Sequence, residues 1–330
     1  MIEVLKIVLK KKTNQDIIDL DYQARDLPGG TFGYVTLYTG TARTLKTEFP
    51  YQVVLKISKQ YGQMKPPGHW CREYELFNSQ LGTTFSKSFR WPEVYLCDLY
   101  NNVTYIWMEY IDGISGNALT SEMYEQAAFH LGSWQGKLYA EKPAFLSELT
   151  NLYQPDSIMG VCYMTRSMSQ NLRFLKHPDC ELPKHLCQMI LDVDASVDHK
   201  YSRIQKLPVV FSHGDFWVTN IIYQKGIIYL IDWEVAGWNY LGDDLASLIA
   251  DESDLDKVLD HYQRCTRAYF QGFSEHTDVI SIKDHCVLEM IQLRFVYKSI
   301  LYYITSEKPE DKVNQINTLQ KFYELTTKDF

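Results

Sequence analysis

The chain has 330 residues, of which 45% are hydrophobic and 22% are charged, so it can build two domains or one large two-lobed unit. Its 11 prolines and 17 glycines are scattered, which excludes a collagen-like repeat and a long disordered linker. The net charge of −8 and the absence of a basic block disfavour nonspecific binding to nucleic acid or to an anionic membrane.

The sequence does not indicate secretion or membrane insertion. Residues 1–12 hold only a short apolar stretch, which Lys6 interrupts, and no small-residue cleavage site. Residues 286–304 form an apolar segment, but three charged residues within it predict a buried helix rather than a membrane span. Seven cysteines without a CxxC pair argue against a secreted disulfide framework. We therefore expect a cytoplasmic protein of unknown oligomeric state, with neither nucleic acid nor membrane as its partner.

The first 110 residues are predicted to form strands and one helix. Short β-branched and aromatic segments bounded by Gly, Pro or Asn predict strands over 34–39, 51–57 and 103–109. Apolar residues at helical spacing predict a helix over 70–81, which Gly82 would end. The turn near Glu109–Asp112 is the best candidate for a hinge, so we predict domains over 1–110 and 111–330.

Beyond this turn, helices dominate the predicted structure. The longest candidates are 121–140, 182–200, 255–272 and 282–305. Three short apolar β-type runs with polar residues at their ends interrupt them, at 209–215, 220–223 and 227–232. A strand-rich part followed by a mostly helical part predicts an α+β fold.

Two features of the N-terminal part suggest contact with an anion. A turn that contains Gly29, Gly30 and Gly33 opens into a strand, and its backbone N–H groups could approach a phosphate without interference from Cβ atoms. The alternative for this segment is a plain β-turn. Lys56 lies within an apolar strand, where it must either reach solvent or meet an anion, and Glu73 on the following helix could pair with it.

A third feature carries the strongest chemical signal. The segment from His213 to Asn220 reads HGDFWVTN, and Asp232 follows Asn220 by twelve residues at the end of an apolar strand. The Asp215 carboxylate could orient an acceptor hydroxyl and take its proton, while Asn220 and Asp232 supply hard oxygen ligands for Mg²⁺ on nucleotide phosphates. The alternative is a polar turn capped by Asp and Asn.

This segment resembles the catalytic loop of the aminoglycoside phosphotransferase and choline-kinase-like superfamily, whose members share the protein-kinase fold. The pattern of that superfamily is roughly HGD-x-H-x-x-N followed by IDW or IDF. Here Trp217 stands where aminoglycoside enzymes usually have His, so the loop is more similar to the fructosamine-kinase-like and ecdysteroid-kinase-like branches. The resemblance extends from about residue 27 to residue 246.

The resemblance implies a role in nucleotide binding for several residues. Lys56 matches the strand lysine that contacts the phosphates of ATP, and Glu73 matches its helix partner, with Glu75 as the competing register. The glycines of the turn would lie near the phosphates. Three consecutive residues match the hinge that contacts adenine, namely Glu109, Tyr110 and Ile111.

The resemblance also implies a fold and a reaction. The fold is bilobal and protein-kinase-like, with a small β-rich N-lobe and a larger, mostly helical C-lobe. The reaction is direct, ATP- and Mg²⁺-dependent phosphorylation of a hydroxyl on a small molecule, with Asp215 as the catalytic residue. Asp232 matches the metal-binding Asp of protein kinases, and Asp244-Leu-Ala246 resembles the segment that supports the catalytic loop.

The sequence also allows two alternatives to a small-molecule kinase. A catalytically weak, pseudokinase-like nucleotide-binding or scaffold protein would keep the same fold, although every expected catalytic residue type is present. A protein kinase is disfavoured because only 12 residues separate Asp232 from Asp244, too few for an activation segment.

The segment after Asp244-Leu-Ala246 allows two interpretations of the acceptor. Four acids follow closely, Asp251, Glu252, Asp254 and Asp256. With Asp243 they could face the cleft and attract a cationic acceptor such as an amino sugar or a quaternary amine. The alternative is a helix start with Ser253 as its N-cap.

Other polar residues receive structural interpretations. A group that could bind zinc, His177, Cys180, His185 and Cys187, lacks the usual finger spacing, so we favour a loop that leads into a helix. His130 and Gln135 lie on a predicted buried helix and are assigned to core or supporting positions. The residues Trp238, Asn239 and Tyr240 could line an acceptor pocket or belong to the core.

Overall fold

The computed structural model describes residues 1–28, 33–60, 68–155, 165–166, 172–178, 180–252, 254–277 and 285–328. Gly29 and Gly30, predicted to lie near phosphates, fall outside the described residues. The chain divides into two compact units. The sheet unit contains Met1–Ile114, Pro143–Leu152 and Ile222–Val235, and the helical unit contains Ser115–Lys142, Tyr153–Ile221 and Ala236–Phe330.

Secondary structure follows the chain in this order. The strands are β1 (Asp19–Leu20), β2 (Gln23–Asp26), β3 (Gly33–Arg43), β4 (Glu48–Lys59), β5 (Phe89–Arg90), β6 (Val94–Tyr100), β7 (Val103–Glu109), β8 (Ile114–Ser115), β9 (Val209–Ser212), β10 (Ile221–Gln224), β11 (Ile227–Leu230) and β12 (Gly237–Tyr240). The α-helices are α1 (Ile2–Thr13), α2 (His69–Phe77), α3 (Ser121–Glu141), α4 (Lys184–Ala195), α5 (Val197–Ile204), α6 (Asp243–Ala250), α7 (Leu255–Ser274), α8 (His285–Ile291), α9 (Tyr297–Thr305) and α10 (Pro309–Thr327). A π-helical turn covers Gln292–Val296, and 3-10 turns cover Gln80–Thr84, Gly116–Ala118, Ala144–Ser147, Phe174–Lys176 and Val218–Asn220.

The sheet unit is built on a six-stranded antiparallel sheet in the order β1-β3-β4-β7-β6, with β2 on β3. Helix α1 covers one face because Leu5, Val8 and Leu9 recur at helical spacing and pack on the sheet. Side chains alternate between the faces of a strand, so Val54 and Lys56 of β4 share the opposite face. Lys56 is therefore buried on the side of the sheet that packs on α2.

Helix α2 is shorter than the predicted 70–81 because polar side chains end it. Asn78 Nδ2 donates to the carbonyl of Tyr74 at 2.9 Å, and Ser79 Oγ donates to that of Leu76 at 2.6 Å. Ser79 Oγ also accepts from Leu81 N and so caps the 3-10 turn that follows. Gly82 lies within that turn, where a Cβ would come 2.9 Å from the Trp91 ring.

The helical unit has the pair α3 and α7 at its centre. Glycines permit their close approach, since a Cβ on Gly132 would lie 2.0 Å from the carbonyl oxygen of Tyr269. Two predicted helices are interrupted: 182–200 divides into α4 and α5, and 282–305 contains the π-helical turn. No helix in the described part of the chain is long and apolar enough to span a membrane.

A small two-stranded sheet of β9 and β12 lies beside these helices. Its register pairs Ser212 with Gly237 and Val209 with Tyr240. Asn239 and Tyr240 of β12 are buried, which agrees with a core position for these two residues. The motif HGDFWVTN of residues 213–220 begins directly after β9. The start of α6 supports this motif.

Candidate active site

Lys56 lies at the centre of a buried ionic cluster in the sheet unit. Its Nζ is 2.7 Å from Glu73 Oε2, 2.8 Å from Asp232 Oδ1 and 3.4 Å from Glu234 Oε1. Glu75, the competing partner, instead accepts from the backbone N–H groups of Thr150 and Asn151. The ion pair therefore forms in the Glu73 register.

The charges of this cluster do not balance within it. Burial alone would lower the pKa of Lys56, but the three carboxylates raise it above its usual value. Burial raises the pKa of Glu73, and Lys56 opposes that effect. One ammonium group faces three carboxylates, so the cluster retains excess negative charge that a cation could neutralise.

The three carboxylates are also close enough to share a metal ion. One ligand atom each from Glu73, Asp232 and Glu234 lies within 4.8 Å of the others, and no other described His, Cys, Asp or Glu side chains form such a group. Hard oxygen donors of this kind suit Mg²⁺. Glu234 was not identified from the sequence, although it lies two residues after Asp232.

The backbone at Asp232 and directly after it is held in place. It has a φ of 65°, a left-handed conformation that is uncommon for residues other than glycine and that clusters at functional sites. Trp233 N, next in the chain, donates to Glu73 Oε1 at 3.0 Å, so Glu73 binds both this segment and Lys56. The buried guanidinium of Arg72 donates to the carbonyls of Glu234 and Asn151, another contact that the sequence did not indicate.

The other described residues that were predicted to bind the nucleotide lie on strands of the same sheet or directly after them. A Cβ on Gly33 would come 2.5 Å from the carbonyl oxygen of Ile57, so glycine is required where β3 approaches β4. Glu109 ends β7, and its N–H donates to the carbonyl of Glu93 at 2.8 Å. Of the two residues after it, Tyr110 is half-buried and Ile111 is buried.

The HGDFWVTN motif, residues 213–220, lies in the helical unit between β9 and β10. Asn220 Nδ2 donates to Asp215 Oδ2 at 3.0 Å, and Trp217 Nε1 donates to Asp215 Oδ1. Both carboxylate oxygens of Asp215 are therefore held by donors from its own loop. Because Asn220 uses its amide nitrogen here, its side-chain oxygen is the atom suited to a metal ion.

Asp244 supports this loop from the first turn of α6. Its carboxylate accepts from the backbone N–H groups of His213 and Gly214, both at 2.8 Å, and from Gln135 Nε2 at 3.0 Å. Gln135 in turn accepts from the hydroxyl of Tyr269 at 2.5 Å. Burial and the neighbouring Asp243 raise the pKa of Asp244 to about 7, which the two N–H donors oppose. The network fixes the backbone immediately before Asp215.

Arg294 of the π-helical turn supports the same loop from another side. Its guanidinium donates at 2.8 Å to the carbonyl of Gly214, to Asp243 Oδ2 and to Ser247 Oγ. Burial raises the pKa of Asp243, and Arg294 opposes that effect. The sequence offered only one sign of this role, which was a charged residue within an otherwise apolar helix.

A cleft of about 370 Å³ opens beside the loop within the helical unit. Trp217, which donates to Asp215, forms part of its lining together with aromatic residues of the segment 295–302 and polar residues of α10. Asp251 also lines it, and its Oδ2 accepts from Val218 N at 2.9 Å. The cleft is therefore adjacent to the carboxylate that was predicted to orient an acceptor.

The other acids predicted to attract a cation have different surroundings. Glu252 is buried against His261, with 2.7 Å between Oε2 and Nδ1, and Asp243 is paired with Arg294. Asp254 is the N-cap of α7 and accepts from the N–H of Asp256, whereas Ser253 lies outside the described residues. These contacts agree with a helix start at this segment, but the N-cap is Asp254 and not the predicted Ser253.

The group that was considered for zinc is not gathered around one point. Cys180 Sγ and Cys187 Sγ are 3.8 Å apart, but His185 Nε2 pairs with Gln320 Oε1 at 2.8 Å. The described residues of this segment form a short loop that leads into α4, as the sequence analysis favoured.

Comparison with known proteins gives a family and a set of similar structures for this chain. The sequence model of the ecdysteroid kinase-like family matches residues 109–282 of this chain, whereas no curated protein matches it. A choline kinase from Cryptosporidium parvum Iowa II is similar in structure over 98% of this chain and 96% of that chain, with 12% identity and a TM-score of 0.59.

An aminoglycoside phosphotransferase and a spectinomycin phosphotransferase are also similar in structure to this chain. A GDP complex of an aminoglycoside 2′-phosphotransferase matches over 98% of both chains, with 10% identity and a TM-score of 0.63. A spectinomycin phosphotransferase in complex with ADP and spectinomycin matches over 99% of this chain and 95% of that chain, with 16% identity and a TM-score of 0.57. These likenesses confirm the predicted protein-kinase-like α+β fold, with a β-rich part followed by a mostly helical part.

Proposed function

Because this chain belongs to the ecdysteroid kinase-like family, a family of small-molecule kinases, we propose that it transfers a phosphoryl group from ATP to a hydroxyl group of a small molecule, with Mg²⁺ as the required ion. The observation that carries the proposal is the buried Lys56 ammonium surrounded by three carboxylates. A buried ammonium suits nucleotide phosphates, and excess carboxylate oxygen suits the accompanying metal ion.

Nucleotide binding is assigned to residues of the sheet unit and to Asn220 of the helical unit. Lys56, oriented by Glu73, would contact the phosphates of ATP, and Asp232 with Asn220 would hold Mg²⁺, which neutralises phosphate charge when bound. The phosphates would also approach the glycine turn, and adenine would contact the segment after β7. These remaining contacts are assigned to Gly29, Gly30, Gly33, Glu109, Tyr110 and Ile111.

Asp215 is proposed as the residue that orients the acceptor. The acceptor oxygen forms a bond to the terminal phosphorus while the bond from that phosphorus to the oxygen of ADP breaks, and the hydroxyl proton passes to the Asp215 carboxylate. Trp217 and Asn220 hold this carboxylate in place, and Asp244 and Arg294 hold the backbone before it. Positioning of this kind supplies much of the rate in phosphoryl transfer.

The acceptor is proposed to bind in the cleft beside Trp217. Structural neighbours are named for choline and for aminoglycosides, which are hydroxyl compounds that carry positive charge. Of the acids that could attract a cation, Asp243 is buried in an ion pair with Arg294, and Glu252 is buried against His261. Asp251 does line the cleft, together with Lys298 and Lys321. One acid beside two lysines at the cleft does not favour a cationic acceptor.

A mass-shift experiment tests the proposal. Purified protein is incubated with ATP, Mg²⁺ and a metabolite extract, and new masses larger by one phosphoryl group are sought by mass spectrometry. We expect such a product from the wild type, and its loss by a factor of about 10²–10⁴ in Asp215→Asn, with ATP binding retained. Turnover within a few-fold of wild type in Asp215→Asn would refute its role. Nucleotide binding with no product in any extract would favour the pseudokinase-like alternative.

A further inference from the structure

The cleft beside Trp217 contains a cation that belongs to the chain itself. Lys298 Nζ lies over the Trp217 ring at 5.4 Å from its centroid, and 5.9 Å from the centroid of the Tyr302 ring. Phe295 packs edge-on against Trp217, with 5.2 Å between the ring centroids. Aromatic faces arranged around an ammonium group are the usual means by which proteins bind cationic ligands.

The charges that line the cleft are predominantly positive. Lys298 and Lys321 both line it, and Asp251 is the one acid among its lining residues. Lys321 is buried, and its Nζ donates to the backbone carbonyls of Ala250 and Glu252, so it is held in place. Burial and Arg294 lower the pKa of Lys298, but the carboxylates of Asp215 and Asp251 favour its protonated form.

We propose that Lys298 occupies, as a tethered ammonium, the place where the Trp217 and Tyr302 rings would otherwise bind a cationic group, and that it restricts the acceptor to hydroxyl compounds without positive charge. The inference rests on the proposed function, since it concerns the acceptor of the same site. It makes Lys298 a specificity-determining residue.

Two physical effects produce this selectivity. A cationic acceptor would have to displace the Lys298 ammonium from both ring faces and would then be repelled by it at short range, so the site discriminates by an unfavourable contact as well as by favourable ones. An uncharged acceptor can instead stack an apolar face on the exposed parts of the rings. Polar side chains of α10 that line the cleft can bond its other hydroxyl groups, namely Asn314, Gln315, Asn317 and Thr318.

A pair of probes that differ only in charge tests the inference. Choline and 3,3-dimethylbutan-1-ol have the same shape, but only choline carries a positive charge. Their binding is measured by calorimetry without ATP or Mg²⁺, in the wild type and in Lys298→Met, which keeps an unbranched side chain one atom shorter and removes its charge. We expect the wild type not to prefer choline, and the ratio of choline affinity to alcohol affinity to rise about tenfold in Lys298→Met.

Controls separate this effect from damage to the fold. Lys312→Met removes a lysine whose Nζ lies 5.7 Å from the Tyr303 ring but which is not among the residues that line the cleft, and it should keep the wild-type ratio. Lys298→Gln provides a second uncharged side chain, and thermal unfolding checks that each variant folds. A wild type that prefers choline would overturn the inference, as would Lys298→Met and Lys298→Gln variants that gain no affinity for choline.

The measurement is independent of the proposed function. The experiment measures only the affinity of the protein for the two acceptor probes. Its result therefore does not depend on whether the protein consumes ATP. A protein that fails to phosphorylate any metabolite but shows the shift in probe affinity would overturn only the proposed function. A protein that phosphorylates a cationic metabolite efficiently would overturn only the inference about Lys298.

Discussion

Lys56 is buried among three carboxylates, and this arrangement shows how a single residue depends on its partners. An ammonium group in a protein interior loses its hydration, and only close opposite charges compensate for that loss. Glu73 is the nearest of the three and also accepts from Trp233 N, so it links β4, α2 and the segment after β11. The roles of Glu73 and Glu75 can therefore be separated by experiment.

We expect Glu73→Gln to raise the KM for ATP roughly tenfold and to lower thermal stability, because breaking a buried ion pair costs about 3–5 kcal/mol. Glu75→Gln should change the KM by less than about twofold, since Glu75 bonds the backbone of Thr150 and Asn151 and not Lys56. Steady-state kinetics at varied ATP concentration and a thermal melt measure both effects. A larger KM change in Glu75→Gln than in Glu73→Gln would show that the ion pair forms in the other register.

Asp251 links pH to stability at the edge of the cleft. Burial raises the pKa of Asp251 from 3.8 to about 6. At a pH between these two values, the carboxyl group is mostly protonated in the folded protein and mostly ionised in the unfolded chain. Stability contributed by this group is therefore greatest below pH 4 and is lost as the pH rises through about 6. Asn at this position cannot ionise and can still accept from Val218 N.

We expect the unfolding temperature of Asp251→Asn to approach that of the wild type near pH 4 and to exceed it increasingly up to about pH 6, with a constant difference above that pH. Thermal unfolding followed by circular dichroism over this pH range measures the difference. A pH-independent difference would mean that the carboxyl group titrates with the same pKa in the folded and unfolded chain.

At the scale of elements, the contact of α3 with α7 is determined by small residues. Glycines on both helices face the partner's backbone: a Cβ on Gly272 would lie 2.2 Å from the carbonyl oxygen of Phe129, and Gly132 is equally close to Tyr269. This contact matters for the site because α3 carries Gln135, which bonds Asp244. The distance between the helices thus affects how Asp244 is held against the backbone of His213 and Gly214.

We expect Gly132→Ala to destabilise the protein by about 1–3 kcal/mol, because the added methyl group must push two packed helices apart. Alanine is otherwise favoured over glycine within a helix by about 1 kcal/mol, so helix propensity alone predicts the opposite sign. Denaturant unfolding decides between them, with Gln126→Ala on the exposed face of α3 as the control. An increase in stability for Gly132→Ala would contradict the close packing of these helices.

The π-helical turn is the second element that local patterns did not predict. The apolar spacing of residues 282–305 predicted one continuous helix, because periodicity reports which side is buried and not how each backbone group is bonded. The turn contains Arg294, whose guanidinium donates to Gly214, Asp243 and Ser247. π-Helical turns recur at functional sites, and this one carries a residue that holds the loop in which Asp215 is proposed to act.

At the scale of the whole molecule, the sequence motifs predicted the family relation and the fold class, and both are confirmed. The motif from His213 to Asp232 is informative because its residues lie close together in the chain, on a turn and a hairpin whose geometry is local. Several elements were not predicted, namely helices α1, α6 and α10 and strands β1, β2, β5, β6, β8 and β12. Strands as short as β1 and β12 are stabilised mainly by the neighbours on which they pack, which local patterns do not report.

The sequence by itself determined which chemical groups are present and which of them must be close: Asp215 with Asn220 in one loop, and Lys56 inside an apolar strand. The tertiary structure decided the partners. Lys56 meets Asp232 across 176 residues, Gln135 meets Asp244 across 109, and Arg294 meets Gly214 across 80. Spacing along a strand or turn fixes the direction of a side chain, but the group that it meets depends on how distant segments pack, which is a property of the folded core.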